Sequence, residues 1–397
     1  AGLAVRNGAL ECPGVFAEPR VPLAELSAAM HWRIKDGRIA LDVERLALRN
    51  DDASGSFKAR WATLAGAQGA ARFPGTLDLS GRFDRADGAR VFRYLPLGIP
   101  QSARDYVRAA VVKGQARNVA VRVKGDLRRV GDAQPEPGSE FRFAGQVSGV
   151  TLDYVPRLLQ PAGQPPWPAL EDLSGQLIFD HNSMQVQRAA GRVRGHPGWQ
   201  FTSVQAGIAD LGHARVRVDA VGSGALASAL GIVNASPLGG LLHGALAKAG
   251  GEGAVGLKLM LDLPVDHIER AAVQGQLALS GNTLRLSADA PELTQVHGAV
   301  AFNDRGFTLE RVRAQALGGE VQVSGGTQAG AQGAGTLVRV RAVGRASAEG
   351  LRHMTQWAPL PALVGRASGS AGYEAVLEFP QGEPMVQVSS DLRGLAI

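Results

Sequence analysis

Residues 255–263 read Val-Gly-Leu-Lys-Leu-Met-Leu-Asp-Leu, with a large aliphatic side chain at every second position. Successive side chains of an extended strand point to opposite faces, so the five aliphatic residues share one face of such a strand. One apolar face and one polar face are typical of an antiparallel sheet that is wetted on one side. The stretch therefore predicts a long, half-buried β-strand.

The same period-two pattern recurs along the chain. Further rows are Val119/Val121/Val123, Val216/Val218, Leu277/Leu279, Leu284/Leu286, Val338/Val340 and Ala375/Leu377/Phe379. Turn-forming pairs such as Asp36-Gly37 and Gly281-Asn282 separate strand-like stretches. The sequence therefore predicts a mainly β protein built from antiparallel strands.

Short α-helices are predicted at a few positions. Residues 100–112 place apolar side chains on one stripe and are followed by Gly114. Two helices are predicted near residues 223–249, and a weaker candidate lies at residues 347–357. The uncharged stretch 220–247 is long enough to be weighed as a membrane span. Because Asn, Ser and Pro interrupt it at residues 234–237, two short amphipathic helices fit better than one span.

An internal repeat organises the chain. Hairpin-like patterns that start at Leu23, Leu170 and Leu293 align with shifts of 147 and 123 residues, and a helix followed by an alternating strand recurs downstream of each. We therefore expect three tandem β-rich units, at residues 1–160, 161–285 and 286–397, with the third truncated. The alternative is three unrelated β-rich stretches that share only alternation.

Composition and motifs argue against catalysis and against nucleic-acid binding. The net charge of +6 is mild and scattered, and the single Cys12 excludes an intramolecular disulfide and a Cys-based zinc site. The glycine-rich string at residues 251–256 follows a predicted helix and precedes a strand, which reverses the order of a dinucleotide site. The paired carboxylates Asp51-Asp52 and Glu171-Asp172 are expected in solvated loops. We identify no catalytic residue, no metal site and no cofactor.

Several stretches resemble the YhdP family, which are large AsmA-like proteins of Gram-negative envelopes. The resemblance rests on residues 14–23 (Gly-Val-Phe-Ala-Glu-Pro-Arg-Val-Pro-Leu), 26–28, 93–97 (Arg-Tyr-Leu-Pro-Leu), 100–106, 125–127, 317–319, 324–326 and 390–395 (Ser-Asp-Leu-Arg-Gly-Leu). It is spread over nearly the whole chain.

This resemblance implies an inner-membrane-anchored protein that crosses the periplasm as an elongated, curved antiparallel β-sheet groove. The implied role is bridge-like movement of phospholipids towards the outer membrane, with acyl chains as the bound partner and no catalytic residues. The family's transmembrane helix and C-terminal region, through which it would meet the two membranes, are not in this sequence, so we expect a central periplasmic fragment.

Alternation suggests which side chains would line such a groove. The candidates are Val119, Val121, Val123, Val216, Val218, Leu257, Leu259, Leu261, Val338 and Val340. An open lipid groove and a dry core between packed layers both need such a face, so the sequence leaves both open. A non-catalytic scaffold of the cell envelope is the alternative function.

Overall fold

The protein is described here by a computed structural model that covers residues 1–132, 134–242, 244–329, 336–354, 357, 364–379 and 385–396. Strands make up 61% of the described residues, well above the share of roughly 20–25% in ordinary globular proteins. The mainly β class predicted from alternation is confirmed.

The described residues form twenty-one strands, which follow one another in sequence order. They are β1 (Gly2–Glu11), β2 (Arg20–Lys35), β3 (Arg38–Arg49), β4 (Ala53–Ala62), β5 (Thr76–Asp87), β6 (Val111–Asp126), β7 (Glu140–Leu152), β8 (Leu170–Asp180), β9 (Ser183–Val193), β10 (His196–Ile208), β11 (Arg215–Ala225), β12 (Gly250–Glu252), β13 (Ala254–Pro264), β14 (Ala272–Arg285), β15 (Leu293–Asn303), β16 (Gly306–Ala316), β17 (Gly319–Ala329), β18 (Thr336–Ser347), β19 (Ser368–Phe379), β20 (Met385–Ser389) and β21 (Leu395–Ala396).

The strands form one antiparallel sheet in which each long strand pairs with the strands before and after it. This ladder runs from β1 to β11 and continues through β13 to β20, while the short β12 pairs with β14 and β21 pairs with β19. Among the described residues no pairing joins β1 to β20, so the sheet is open. At about 4.8 Å per strand the ladder is roughly 85 Å wide.

The four α-helices of the described part of the chain lie at one edge of this sheet. They are α1 (Gln101–Ala110), α2 (Leu226–Asn234), α3 (Pro237–Leu241) and α4 (Ala348–Arg352). They follow β5, β11 and β18, whose ends share one edge because alternate strands of a meander run in the same direction. We call this edge the helical rim. The opposite edge carries turns and 3₁₀ helices, including Gly69–Arg72 and Leu211–His213.

The structure repeats every six strands of the ladder. Six strands separate α1 from α2, and six more separate α2 from α4. The hairpins recognised by sequence repetition are β2–β3, β8–β9 and β15–β16, which keep the same six-strand spacing. Left-handed residues recur with the 123-residue shift, since Asp172 and Gln295 have φ near 50° and so do Arg188 and Arg311. Helices and hairpins therefore recur at a regular six-strand interval along the ladder.

The predicted helices are present but shorter than expected. The helix predicted at 100–112 ends at Ala110 because Val111 already belongs to β6, and the one predicted at 236–249 ends at Leu241. Ser236 accepts a hydrogen bond from the Leu238 amide as the predicted N-cap. Within the described part of the chain, no helix has the length and apolar character needed to cross a bilayer.

Glycines let neighbouring strands approach each other closely on one face. A Cβ at Gly81 would lie 2.3 Å from the Ser56 carbonyl oxygen and 2.5 Å from a ring carbon of Phe57. Backbone cannot yield cheaply, so this position of β5 requires glycine. At Gly256 in β13, by contrast, an added Cβ meets nothing within 4 Å.

We predict that Gly81→Ala weakens the pairing of β4 with β5 by about 1–3 kcal/mol, because the added methyl overpacks the site. Hydrogen–deuterium exchange should show faster exchange in β4 and β5, while β14–β18 stay protected because a repeat array opens locally. Gly256→Ala is the matched control and should leave exchange unchanged. Equal exchange in the two variants would contradict this packing.

Candidate functional site

One face of the sheet carries an unbroken surface of apolar side chains. Directly opposed residues of paired strands lie on the same face, so the register traces each row across the sheet. One row runs from β1 to β13 through Leu3, Ala28, Leu46, Phe57, Gly81, Val121, Phe143, Phe179, Met184, Ile208, Val216 and Leu263. None of its members is polar. We call this side the apolar face.

A second row extends the apolar face to the last strand of the ladder. It runs from β10 to β20 through Phe201, Gly222, Leu257, Leu277, Val300, Leu309, Gly325, Val340, Leu377 and Val386. Leu257 and Leu263 stand six residues apart in β13 and so point to the same side. The two rows therefore belong to one face that spans the whole ladder.

All ten residues predicted to line a groove lie on the apolar face. They occupy four strands: Val119, Val121 and Val123 in β6, Val216 and Val218 in β11, Leu257, Leu259 and Leu261 in β13, and Val338 and Val340 in β18. Val121 and Val123 are buried under Val130 from the loop after β6. The other eight are half-buried and keep part of their surface open.

The ten predicted lining residues include none of the aromatic side chains of this face. Phe141 and Phe143 of β7 pair with Val123 and Val121, and Phe57 meets Phe83 edge to face at 4.9 Å between ring centroids. Phe141, Arg142 and Phe143 do alternate, so the signal for β7 was present although short. The rings make the apolar face more aromatic at β4–β7 than at the Leu- and Val-lined β13.

No second sheet covers the apolar face in the described part of the chain. The substantial contacts of each strand are with its neighbours in the ladder. The side chains of the apolar face are nevertheless partly buried. A single layer can achieve this when side chains of neighbouring rows pack against each other. Three local clusters are more deeply buried, and one of them contains α2 packed on Trp199 and Val255.

The opposite face is polar and is tied together by ion pairs between strands. A register row of β2–β7 begins at His31 and then alternates in charge through Asp42, Arg60, Asp78, Lys124 and Glu140. Arg122 binds Asp78 and donates to Glu140 at 2.9 Å, and these partners hold the pKa of its guanidinium above the ordinary value. Since a slip of one residue would place these charges against apolar neighbours, the polar face helps to fix the register.

One carboxylate expected at the surface is buried. Asp52 is 7% exposed; its Oδ2 accepts hydrogen bonds from Arg93 at 2.6 Å and from the Tyr94 hydroxyl at 2.8 Å. Burial raises the pKa of Tyr94 to about 12, with the adjacent Asp52 carboxylate acting in the same direction. Arg93 also pairs with Glu18 at 2.9 Å. The prediction of a solvated loop was therefore wrong for Asp52, which joins three segments of the helical rim.

The second carboxylate pair also lies elsewhere than predicted. Glu171 and Asp172 lie in β8 rather than in a loop, and Asp172 pairs with Arg192 of β9. Across the ranges that the structure describes, no group of three or more His, Cys, Asp or Glu side chains is placed to hold a metal ion. The chemistry that the described residues offer is apolar binding on one face and ion pairing on the other.

Comparison with known proteins gives one match. A family model described as YhdP protein matches residues 1–397, which is the whole chain. No curated protein matches the chain, and no solved structure does.

We predict that acid weakens the polar face between β11 and β13. The hydrogen bond from Arg215 holds the pKa of Asp262 below its ordinary value of 3.8. A depressed pKa in the folded state stabilises the fold above the unfolded pKa, and this stabilisation is lost as the pH falls below it. Melting temperatures at neutral pH and near pH 3 should differ less for Asp262→Asn than for the unmodified chain. Asp289→Asn, which removes an exposed carboxylate, should leave the difference unchanged; an equal effect of both would refute the assignment.

Proposed function

This chain belongs to the YhdP family, and from that membership together with its continuous apolar face we propose that it is a segment of a lipid-transfer conduit. In this proposal the chain carries phospholipids between the inner and outer membranes and so supports the permeability barrier of the outer membrane. The family and a large open β-sheet are compatible with lipid transport.

The observation that carries the proposal is the continuity of the apolar face. Two overlapping register rows connect β1 to β20 without a polar residue. A soluble protein ordinarily covers such a face with helices or a second sheet. Here the described residues supply local covers alone, so a path of apolar surface roughly 85 Å long remains available for another apolar molecule.

Phospholipid tails need such a path because water opposes their transfer. Exposing an acyl chain of about 15 methylenes costs roughly 12 kcal/mol at about 0.8 kcal/mol per methylene, and a phospholipid carries two tails. A conduit lowers this barrier by replacing water with Leu, Val and Phe side chains along the route. The hydrophobic effect is non-directional, so lipid can slide from one strand to the next without specific bonds being broken.

The dimensions of the strands suit a lipid that lies across them. An eleven-residue strand such as β13 is about 36 Å long, which exceeds the length of an acyl chain. The tails would lie on the apolar face, and the head groups would remain at a rim or in solvent. Val119, Val216, Val218, Leu257, Leu259, Leu261, Val338 and Val340 are the proposed lining, with Val121 and Val123 beneath the loop that covers them.

We place this segment in the periplasm, as part of a protein anchored in the inner membrane. Membrane contact then belongs to parts of the protein outside this sequence. No step of this transport requires catalysis, a cofactor or nucleic acid, and the mechanism uses surface alone. The competing function is an envelope scaffold, in which the apolar face packs against protein.

The proposal predicts that the chain, purified without detergent after periplasmic expression, carries phospholipid in its organic extract. Leu259→Asp should abolish this lipid while the fold persists, because Leu259 is only half-buried and a charge there can reach water. Val221→Asp is the matched control: it introduces the same charge one strand away on the polar face, opposite Lys258, and should retain the lipid.

Mass spectrometry of the extracts measures the bound lipid, and circular dichroism shows whether the unmodified chain and the two variants are folded. A scaffold predicts a lipid-free and stable chain that unfolds with Leu259→Asp, since the charge would then be buried without a partner. That result would overturn the conduit.

A further inference from the structure

Helix α2 is the helix that packs on the apolar face. Leu226 and Leu230 of α2 are 4% and 8% exposed, and they form a buried cluster with Val193, Trp199 and Val255. By contrast, α1 and α4 contact the strands that they adjoin at the helical rim. α2 therefore occupies surface that the proposed conduit assigns to lipid.

The cover is partial. Leu257, Leu277 and Leu279 pack against the cluster that Leu226 and Leu230 form with Val255, so the cover lies near the ends of β13 and β14 at the helical rim. Leu259 and Leu261 lie farther along β13 and are absent from that cluster. The apolar path is therefore narrower at α2 than along the strands that no helix covers.

The contacts that hold α2 are of the kind an acyl chain can replace. The helix reads Leu-Ala-Ser-Ala-Leu-Gly-Ile-Val-Asn and contains no charged residue, so it forms no ion pair. Its amide at Leu226 donates to the Gly253 carbonyl at 2.9 Å, and two leucines supply its buried side chains. Apolar contacts are non-directional, and a tail that takes the place of Leu226 and Leu230 restores most of the buried area.

From this geometry we propose that α2 is a displaceable cover of the groove: it lies on the apolar face when no lipid is present and moves off when acyl chains pass. This inference rests on the proposed conduit function. It adds a passage that widens at α2 when lipid occupies it, so that Leu257, which packs against the α2 cluster, gains contact with lipid.

The structure offers a position at which α2 can be locked. A Cβ at Gly198 in β10 would lie 3.7 Å from the Cβ of Ser228 in α2, which is within the range that a disulfide requires. Gly198→Cys with Ser228→Cys, in a Cys12→Ser background, should therefore close a reversible bridge between α2 and the sheet. The two single-cysteine variants are the controls for the substitutions themselves.

The readout is a diazirine-bearing aliphatic amino acid, close to leucine in size, placed at residue 257 or at residue 261 of the full chain. After incubation with phosphatidylethanolamine–phosphatidylglycerol vesicles and illumination, lipid adducts are measured by mass spectrometry. The proposal predicts adducts at both residues in the reduced protein. In the oxidised protein the adduct at 257 should fall to the level of the unilluminated sample, while the adduct at 261 persists.

The other outcomes overturn either the displaceable cover or the conduit. Adducts at 257 in both the oxidised and the reduced protein would mean that lipid passes beneath a fixed α2. Adducts at 261 with none at 257 in either state would mean that α2 stays on the sheet and excludes lipid from residue 257. Both results would overturn the displaceable cover and leave the conduit standing. Adducts at neither residue would overturn the conduit itself, and the inference with it.

Discussion

The structure depends on one constraint: the cross-strand register keeps the aliphatic and aromatic rows of neighbouring strands on the same side of the sheet. A slip of one residue at any strand would turn its aliphatic row towards water and break the continuity of the face. Tight hairpins and the alternating charges of the polar face hold this register. The same strand pairing produces both the charged row from Asp42 to Glu140 and the apolar row from Leu46 to Phe143. Continuity of the apolar face follows from it.

The sequence predicts this face wherever period two is unbroken. The alternation of Leu257, Leu259 and Leu261 is visible in the sequence because β13 contains no bulge. In β7, Val147 and Val150 both face the apolar side although they are an odd number of positions apart. The irregular pairing near Gly149, at φ 58°, adds a residue between them. Simple alternation cannot show such a shift.

Long-range contacts set a second limit on what sequence can reveal. Asp52 looks like a surface carboxylate, and its burial depends on Arg93, which lies 41 residues away. The same holds for α2: its apolar composition is visible in the sequence, but the strand face on which it packs is not. Internal repetition was the more informative signal, since it located hairpins that the structure places six ladder strands apart.

The central claim is that the apolar face is an open surface that binds lipid tails, and one scan tests it most directly. Nitroxide labels are attached one at a time at residues 257–263 in a Cys12→Ser chain, and their accessibility to a water-soluble relaxation agent is compared with and without phospholipid. The account predicts that lipid protects residues 257, 259, 261 and 263 and leaves 258, 260 and 262 accessible. Protection without alternation, or no protection at the odd positions, would contradict it.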